Sequence, residues 1–313
     1  LWFTTELPGL LGTFIGDFQQ QAVSIRRLGE LVPDMPMTTV LEGAGSSGMS
    51  QQGNRGIGHS TLSIQHSGLL LSTHGLSYRY PGGGGIHNID LGIPVGGLVL
   101  VTGRIGSGKT TLLRCILGLL PAQSGHVLWK GQQIENAAEF FQPPISAYTP
   151  QLARLFSESL RENILLGLPD TPNSLNAALY AAVLEDDIPT LEHGLDTIVG
   201  PRGVRLSGGQ AQRTASARMF VRQAELLVMD DLSSALDVET EQMLWERMFK
   251  AERGSAGART ILAVSHRRSA LRRANLVIVL KDGHVEAKGT LTELLDISAE
   301  MRYLWESRGV GEN

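Results

Sequence analysis

The 313-residue chain is long enough for about two ordinary domains. Hydrophobic residues at 42% and charged residues at 19% exclude wholesale disorder and collagen-like structure. A net charge of −4 gives no electrostatic case for a nucleic-acid binder, and a lone cysteine, Cys115, excludes an internal disulfide or a Cys-rich metal site and points to a reducing compartment.

In chain order, the first sixteen residues are apolar-rich, but Glu6, Pro8 and Gly9 interrupt them and Asp17 closes them. A membrane-spanning helix wants about 20 apolar residues, and no run here reaches that. No basic region precedes the stretch, so it is a poor signal peptide. The chain opens on Leu1 rather than methionine. The expectation is a piece of something longer whose front is membrane-embedded. Phe18, Ala22, Ile25, Leu28 and Val32 recur at helical spacing and predict an amphipathic helix, ended near Pro33 and Pro36. Residues 43–60 are rich in Gly, Ser and Gln and read as a flexible linker. The expected division is a leading helical segment over 1–40, a linker over 41–66, a folded domain over 67–300 and a tail over 301–313.

Within that domain, residues 69–93 predict antiparallel strands around the glycine run Gly82 to Gly85. Leu98–Thr102, Leu226–Asp230, Ile261–Ser265 and Leu276–Leu280 are short runs of Val, Leu and Ile, as in strands covered on both faces. Helical stretches separate several of them, which predicts a parallel α/β sheet. Residues 281–283 (KDG) are a hairpin signal before a last strand, His284–Ala287. Thr290 and Glu293 have capping-box spacing for a final helix.

Three motifs carry chemistry. Residues 103–110, GRIGSGKT, fit G-x-x-x-x-G-K-[ST] between the strand Leu98–Thr102 and a helix expected from Lys109 to about Leu120, stopped by Pro121. Glycines let backbone N–H groups curl around phosphate oxygens, and the helix N-terminus adds positive potential. The candidate phosphate-binding residues are Gly103, Arg104, Ile105, Gly106, Ser107, Gly108, Lys109, Thr110 and the following Thr111. Lys109 can reach the β- and γ-phosphates and Thr110 can ligate Mg²⁺, whereas the Arg104 side chain has no assigned role. Next, LLVMDD at 226–231 is an apolar strand ending in Asp230, a carboxylate suited to hold Mg²⁺ beside such a loop. Finally, LSGGQ at 206–210 starts a helix, with Ser207 and Gln210 in capping-box spacing. Gly208 and Gly209 are poor helix formers, each costing about 1 kcal/mol relative to alanine, and make sense where something approaches the backbone closely.

With LSGGQ lying between the phosphate loop and the acidic strand, the chain resembles the ATP-binding cassette (ABC) family over about residues 69–297. The resemblance implies a P-loop α/β fold with a parallel central sheet, an N-terminal antiparallel β subdomain and a helical subdomain over about 153–222 carrying the signature. It implies ATP and Mg²⁺ as ligands. Tyr80 matches the aromatic that stacks on adenine, Gln151 the residue that senses Mg²⁺ and the γ-phosphate, and His266 the switch histidine. SALD at 234–237 matches the loop that crosses the dimer interface. Ser207, Gly208, Gly209 and Gln210 match the signature that contacts the γ-phosphate held by a second, opposing cassette.

Residues 196–203, DTIVGPRG, look like the T-x-V-G-x-x-G loop of ABC exporters, RENILLG at 161–167 looks exporter-like, and residues 1–36 resemble the end of an exporter's last membrane helix. The implied setting is the cell membrane with the cassette on the cytoplasmic side. The implied partners are a transmembrane domain of the same transporter and a second cassette, head-to-tail in a homo- or heterodimer, and no nucleic acid. An importer ATPase subunit and a non-transport ABC protein fit less well, since the exporter-like loop and leading segment speak against the first and the lack of a second cassette or coiled-coil insertion against the second.

One departure keeps a third reading open, a nucleotide-binding regulatory subunit that turns over slowly or not at all. The family's general base is Glu; here it is Asp231, with Leu232 where the family usually has Pro. The carboxylate sits back by about 1.5 Å, and a misplacement on the order of 1 Å can cost about 100-fold in rate. The expected catalytic residues are therefore Asp231, Gln151 and His266, and the expected cation ligands Thr110, Gln151 and Asp230.

Overall fold

The computed structural model describes residues 68–252 and 259–307. The expected leading helix and linker lie outside the described residues.

The chain first forms β1 (Leu69–Arg79) and β2 (Gly85–Pro94), paired antiparallel, and then β3 (Leu98–Gly103) and helix α1 (Lys109–Ile116). It returns through β4 (Ser124–Trp129) and β5 (Gln132–Ile134), a short α2 (Ala137–Phe140) and β6 (Ser146–Thr149). Helices α3 (Leu160–Leu165), α4 (Pro172–Ala181) and α5 (Gly208–Phe220) follow, before β7 (Leu226–Asp230), α6 (Val238–Glu252), β8 (Thr260–Val264) and α7 (Arg268–Leu271). A hairpin of β9 (Leu276–Lys281) and β10 (His284–Gly289) leads to α8 (Leu291–Ile297) and α9 (Ala299–Ser307).

Two sheets result. One is antiparallel with strand order β2-β1-β4-β5. The other has the order β10-β9-β3-β8-β7-β6 and is parallel throughout except for the β9–β10 hairpin. Successive side chains of a strand point to opposite faces, and the central strands are apolar on both. Leu98 and Leu100 of β3, Leu227 and Met229 of β7, and Val277 and Val279 of β9 join one core with α4, α5, α6, α8 and α9. Val99 and Val101, Leu226 and Val228, and Ile278 and Leu280 join another with β1, β2 and α1. The sheet is thus a rigid partition, and its strands β3, β7 and β8 end side by side where the chemistry-bearing loops begin.

Two expectations are corrected. Helix α1 stops at Ile116, short of Pro121, because Gly118 adopts a left-handed backbone (φ 71°) and its N–H bonds the Cys115 carbonyl. The C-terminal stretch is no tail over its first part. Met301 and Leu304 of α9 are buried in the core, and the Ser298 hydroxyl caps the helix by accepting from the Met301 N–H at 2.9 Å. A capping hydroxyl and two apolar side chains three apart suffice to carry the fold past residue 300.

Candidate functional site

The phosphate loop leaves the end of β3 at Gly103 and enters α1 at Gly108, and at both the chain's own packing demands glycine. Gly103 has φ 146°, and a Cβ there would lie 2.2 Å from the Leu280 carbonyl oxygen. Gly108 has φ 100°, and its Cβ would lie 2.7 Å from the Gly85 carbonyl oxygen. Inside the loop, the Lys109 ammonium donates to the carbonyls of Gly103 at 2.9 Å and Arg104 at 2.8 Å. The Ser107 hydroxyl is buried with no hydrogen-bond partner among the described residues. Buried polar atoms are normally bonded, so this is a loop with donor capacity to spare. Ile105 stands at its tip, 97% exposed. The Arg104 side chain turns away from the loop to Glu300, with Nε and Nη2 donating to the carboxylate at 2.6 and 3.0 Å.

The acidic side is assembled across the sheet. Thr110 Oγ1 donates to Asp230 Oδ1 at 3.1 Å, joining α1 to the end of β7. The Tyr148 hydroxyl, on neighbouring β6, donates to Asp230 Oδ2 at 3.5 Å. Burial raises the Asp230 carboxyl above the ordinary carboxylate range, while the Thr110 hydrogen bond and the Arg114 charge pull it down. The Tyr80 hydroxyl shares a 3.3 Å hydrogen bond with Thr111 Oγ1, which ties the end of β1 to the same helix.

Asp231 has a left-handed backbone, φ 53°, in which its N–H bonds the Val264 carbonyl at 3.2 Å. Aspartate tolerates this region better than most residues. Leu232 matters here. A proline at that position would push residue 231 toward extended backbone, whereas Leu232 permits the turn and buries itself in the core. The turn brings Asp231 Oδ2 within 3.3 Å of Gln151 Nε2. Gln151 is in turn linked to the signature helix, since the Gln212 side chain of α5 donates to the Pro150 carbonyl at 3.4 Å. His266 lies half-buried just beyond the end of β8.

The signature segment stands apart from this cluster. Ser207 and Gln210 form the expected capping box at the start of α5. Gln210 Nε2 also donates to Asp187 at 2.9 Å, where Arg213 forms an ion pair. A Cβ at Gly209 would meet the Ala235 carbonyl oxygen at 3.1 Å. One at Gly208 would touch nothing closer than the Ala235 Cβ at 3.8 Å, so the chain's own packing does not demand glycine there. The SALD stretch packs against this helix start through Ala235, and its Asp237 caps α6 by accepting from the Thr240 N–H at 2.9 Å.

Sequence reasoning missed Tyr148, Arg114 and Asn163. Tyr148 stands three residues before Gln151, the one local hint. Asn163 is a buried residue of α3 whose side chain reaches back to the loop that precedes the helix. Its side chain accepts from the Phe156 N–H and donates to the carbonyls of Phe156, Glu158 and Ser159. Arg218 of α5 closes the same loop by donating to the Asn163 and Arg154 carbonyls, and burial lowers its guanidinium to about 10. Beside it Gly200 must be glycine, because a Cβ would lie 2.4 Å from the Phe156 carbonyl oxygen.

A sequence model described as ABC transporter matches residues 86–234, which span the phosphate loop, Gln151, the signature and the acidic strand end. The chain carries an ABC transporter cassette. Among its relatives is the ATP-dependent lipid A-core flippase of Alkalilimnicola ehrlichii, 36% identical over 76% of this chain and 40% of the relative. The flippase of Methylococcus capsulatus is 32% identical over 93% of this chain and 48% of its own length. The probable multidrug resistance ABC transporter ATP-binding/permease protein YheI of Bacillus subtilis is 33% identical over 74% and 39%. A bacterial Atm1-family ABC exporter with ATP bound superposes with a TM-score of 0.70 at 28% identity, over 76% of this chain and 42% of that one. The chain therefore spans less than half the length of the relatives it matches. Among the described residues of the cassette, no helix is long and apolar enough to cross a membrane. Tyr80 and His266 flank the matched stretch on either side.

Proposed function

We propose that the cassette binds MgATP and hydrolyses it as the motor of a membrane exporter, with closure of two cassettes coupled to transport. The observation that carries this reading is one continuous constellation: Lys109 and Thr110 at the start of α1, Thr110 on Asp230, and Gln151 on Asp231. Lys109 would exchange its two carbonyl partners for β- and γ-phosphate oxygens, a stronger charge-assisted pairing. Tyr80 offers an aromatic surface for the base. The hard oxygen donors of Thr110, Asp230 and Gln151 suit Mg²⁺, and Thr110 and Asp230 already stand 3.1 Å apart. When bound, that ion neutralises phosphate charge. Asp231 takes the proton of the water that attacks the γ-phosphorus, as the P–O bond to the leaving ADP breaks. Gln151 orients Asp231, and His266 follows the end of β8, the strand beside β7. Phosphoryl transfer needs little beyond such positioning and charge neutralisation.

The lack of any packing demand for glycine at Gly208 supports a partner from outside the chain. A second cassette, placed head-to-tail and identical or not, would set the γ-phosphate against the N–H groups of that helix start. The relatives' names support membrane attachment, with the cassette on the cytoplasmic side where ATP is available. A slower regulatory role is favoured by one observation, the shorter Asp231 at the catalytic position.

The test is MgATP affinity. Lys109→Ala should weaken binding at least about 100-fold, since two or more charge-assisted hydrogen bonds at about 1.5–3 kcal/mol each are lost. Wild-type affinity in a titration with a fluorescent nucleotide would remove this loop from the nucleotide site.

A further inference from the structure

Helix α9 lies at the C-terminal end of the described chain and belongs to no nucleotide motif, yet it grips the phosphate loop. Glu300 is 3% exposed and is an unusual residue to bury. It sits there because its carboxylate receives Arg104 Nε at 2.6 Å and Nη2 at 3.0 Å, a two-pronged pair that fixes the guanidinium in a plane. Lys281 Nζ stands 3.9 Å from the same carboxylate. One helical turn on, the Tyr303 ring lies 4.1 Å from the Arg104 guanidinium carbon. The backbone of Arg104 does the loop's own work: its carbonyl accepts from Lys109 Nζ at 2.8 Å and from the Ser107 N–H at 3.1 Å. The residue that holds the loop lysine is therefore itself held from behind.

The far end of α9 reaches a second element of the site. The Trp305 carbonyl accepts from Arg268 Nη2 at 2.6 Å, and the Trp305 ring stacks under the guanidinium carbons of Arg268 and Arg272 at 4.6 and 5.6 Å. Arg268 begins α7, two residues after His266. Between these two anchors, Met301 and Leu304 lock α9 into the core.

We propose that Glu300 is a positioning residue for nucleotide binding. Through Arg104 it sets the outer limb of the phosphate loop, and α9 thereby ties the phosphate loop to the segment that carries His266. Glu300 touches no nucleotide; it acts through the Arg104 side chain. The assignment rests on the reading of residues 103–110 as the ATP site.

A double-mutant cycle on MgATP affinity, run on the full-length protein, tests it. Glu300→Gln and Arg104→Ala should each weaken MgATP binding about five- to tenfold, as expected when a charge-assisted pair is lost from a pre-formed loop. The double variant should be no weaker than the worse single one, because both act through one contact. In steady-state turnover, KM should rise while kcat stays within about twofold. A merely structural role for Glu300 would give additive losses or a fall in kcat, and either overturns the proposal. Arg104 is a half-exposed side chain, so its removal leaves the core intact if Glu300→Gln does not fold, and unchanged affinity in Arg104→Ala alone also overturns the proposal. Lys109→Ala in the same assay keeps the two failures apart. If it binds MgATP normally, the reading of the loop has failed. If it loses MgATP while Arg104→Ala and Glu300→Gln bind normally, only the role of Glu300 has.

Discussion

The cassette has two glycine-marked helix starts, at Gly108 and at Ser207-Gly208-Gly209, and they answer to different constraints. At Gly108 the backbone is left-handed and an added Cβ would meet the Gly85 carbonyl at 2.7 Å, so the chain requires glycine whether or not anything binds. Lys109 has two partners within its own loop, and Thr110 is already on Asp230. At Gly208 the backbone is helical and an added Cβ would meet nothing nearer than 3.8 Å. Glycine there costs helix stability, and the described residues offer no packing reason for it. The first helix start is a site built within one chain. The second is built, on our proposal, for a neighbour.

The largest expected effect falls on the first site. Gly108→Ala should destabilise the cassette by about 3 kcal/mol, combining a left-handed alanine with a backbone clash. Chemical denaturation of the nucleotide-free protein measures it, and a loss below about 1 kcal/mol would mean that the loop is soft enough to re-form around a side chain.

Asp231 tests whether that site is also catalytically complete. Asp231→Asn should lower ATP turnover about 100-fold by removing the base. Asp231→Glu sets two effects against each other. The recovered reach is worth up to about 100-fold, and a glutamate in left-handed backbone loses about 1 kcal/mol of it. The expected net result is a rise of about tenfold. A fall would show that the left-handed turn at Asp231, permitted by Leu232, already brings the shorter carboxylate forward. Turnover unchanged in both variants would move the base elsewhere.

Asp230 gives a smaller effect with a definite sign. Its folded carboxyl is raised by burial, so the folded state holds this proton more readily than the unfolded state. Stability from this group is then greatest at acid pH and declines as pH rises through the carboxylate range to the raised folded value, which leaves a destabilising charge at neutral pH. Asp230→Asn should raise the thermal midpoint of the nucleotide-free protein by about 2–4 °C at pH 7 while abolishing the Mg²⁺ dependence of ATP binding. The gain should vanish at a pH below the ordinary carboxylate range, where both forms are neutral. A lower midpoint at pH 7 would mean that the charge is better paired by Thr110 and Arg114 than its burial suggests.

The smallest expected change sharpens the comparison most. Gly208→Ala should stabilise the isolated cassette by about 0.5 kcal/mol through helix propensity, leave monomer MgATP affinity unaltered and weaken ATP-driven self-association. Sedimentation with and without MgATP reads the last of these. Unimpaired association would show that the helix start at Gly208 is not where a neighbour lies.

Features set within a few residues were legible in the sequence. The capping boxes Ser207–Gln210 and Thr290–Glu293 form between residues three apart, and both are found as expected. The doubly apolar strands β3, β7, β8 and β9 were legible because coverage on both faces leaves at least four consecutive apolar residues in each. The loop GRIGSGKT was legible because its glycines and lysine are consecutive. Where a local rule misled, a second local feature acted first, as Gly118 ended α1 before Pro121 could.

The rest was decided by contacts that no periodicity encodes. Thr110 meets Asp230 across 120 residues of chain, and Arg104 meets Glu300 across 196, because β3 lies beside β9 and β8 and one strand from β7. Nothing around Glu300 in the sequence separates it from a solvated helix glutamate; only packing buries it. The left-handed backbone of Asp231 likewise depends on the Val264 carbonyl of a neighbouring strand. The sequence by itself determined which residues can bind phosphate, cap helices and fill strands, since those properties belong to side chains and their near neighbours. The tertiary structure decided which of them face one another, since strand order is a free-energy minimum of the whole chain.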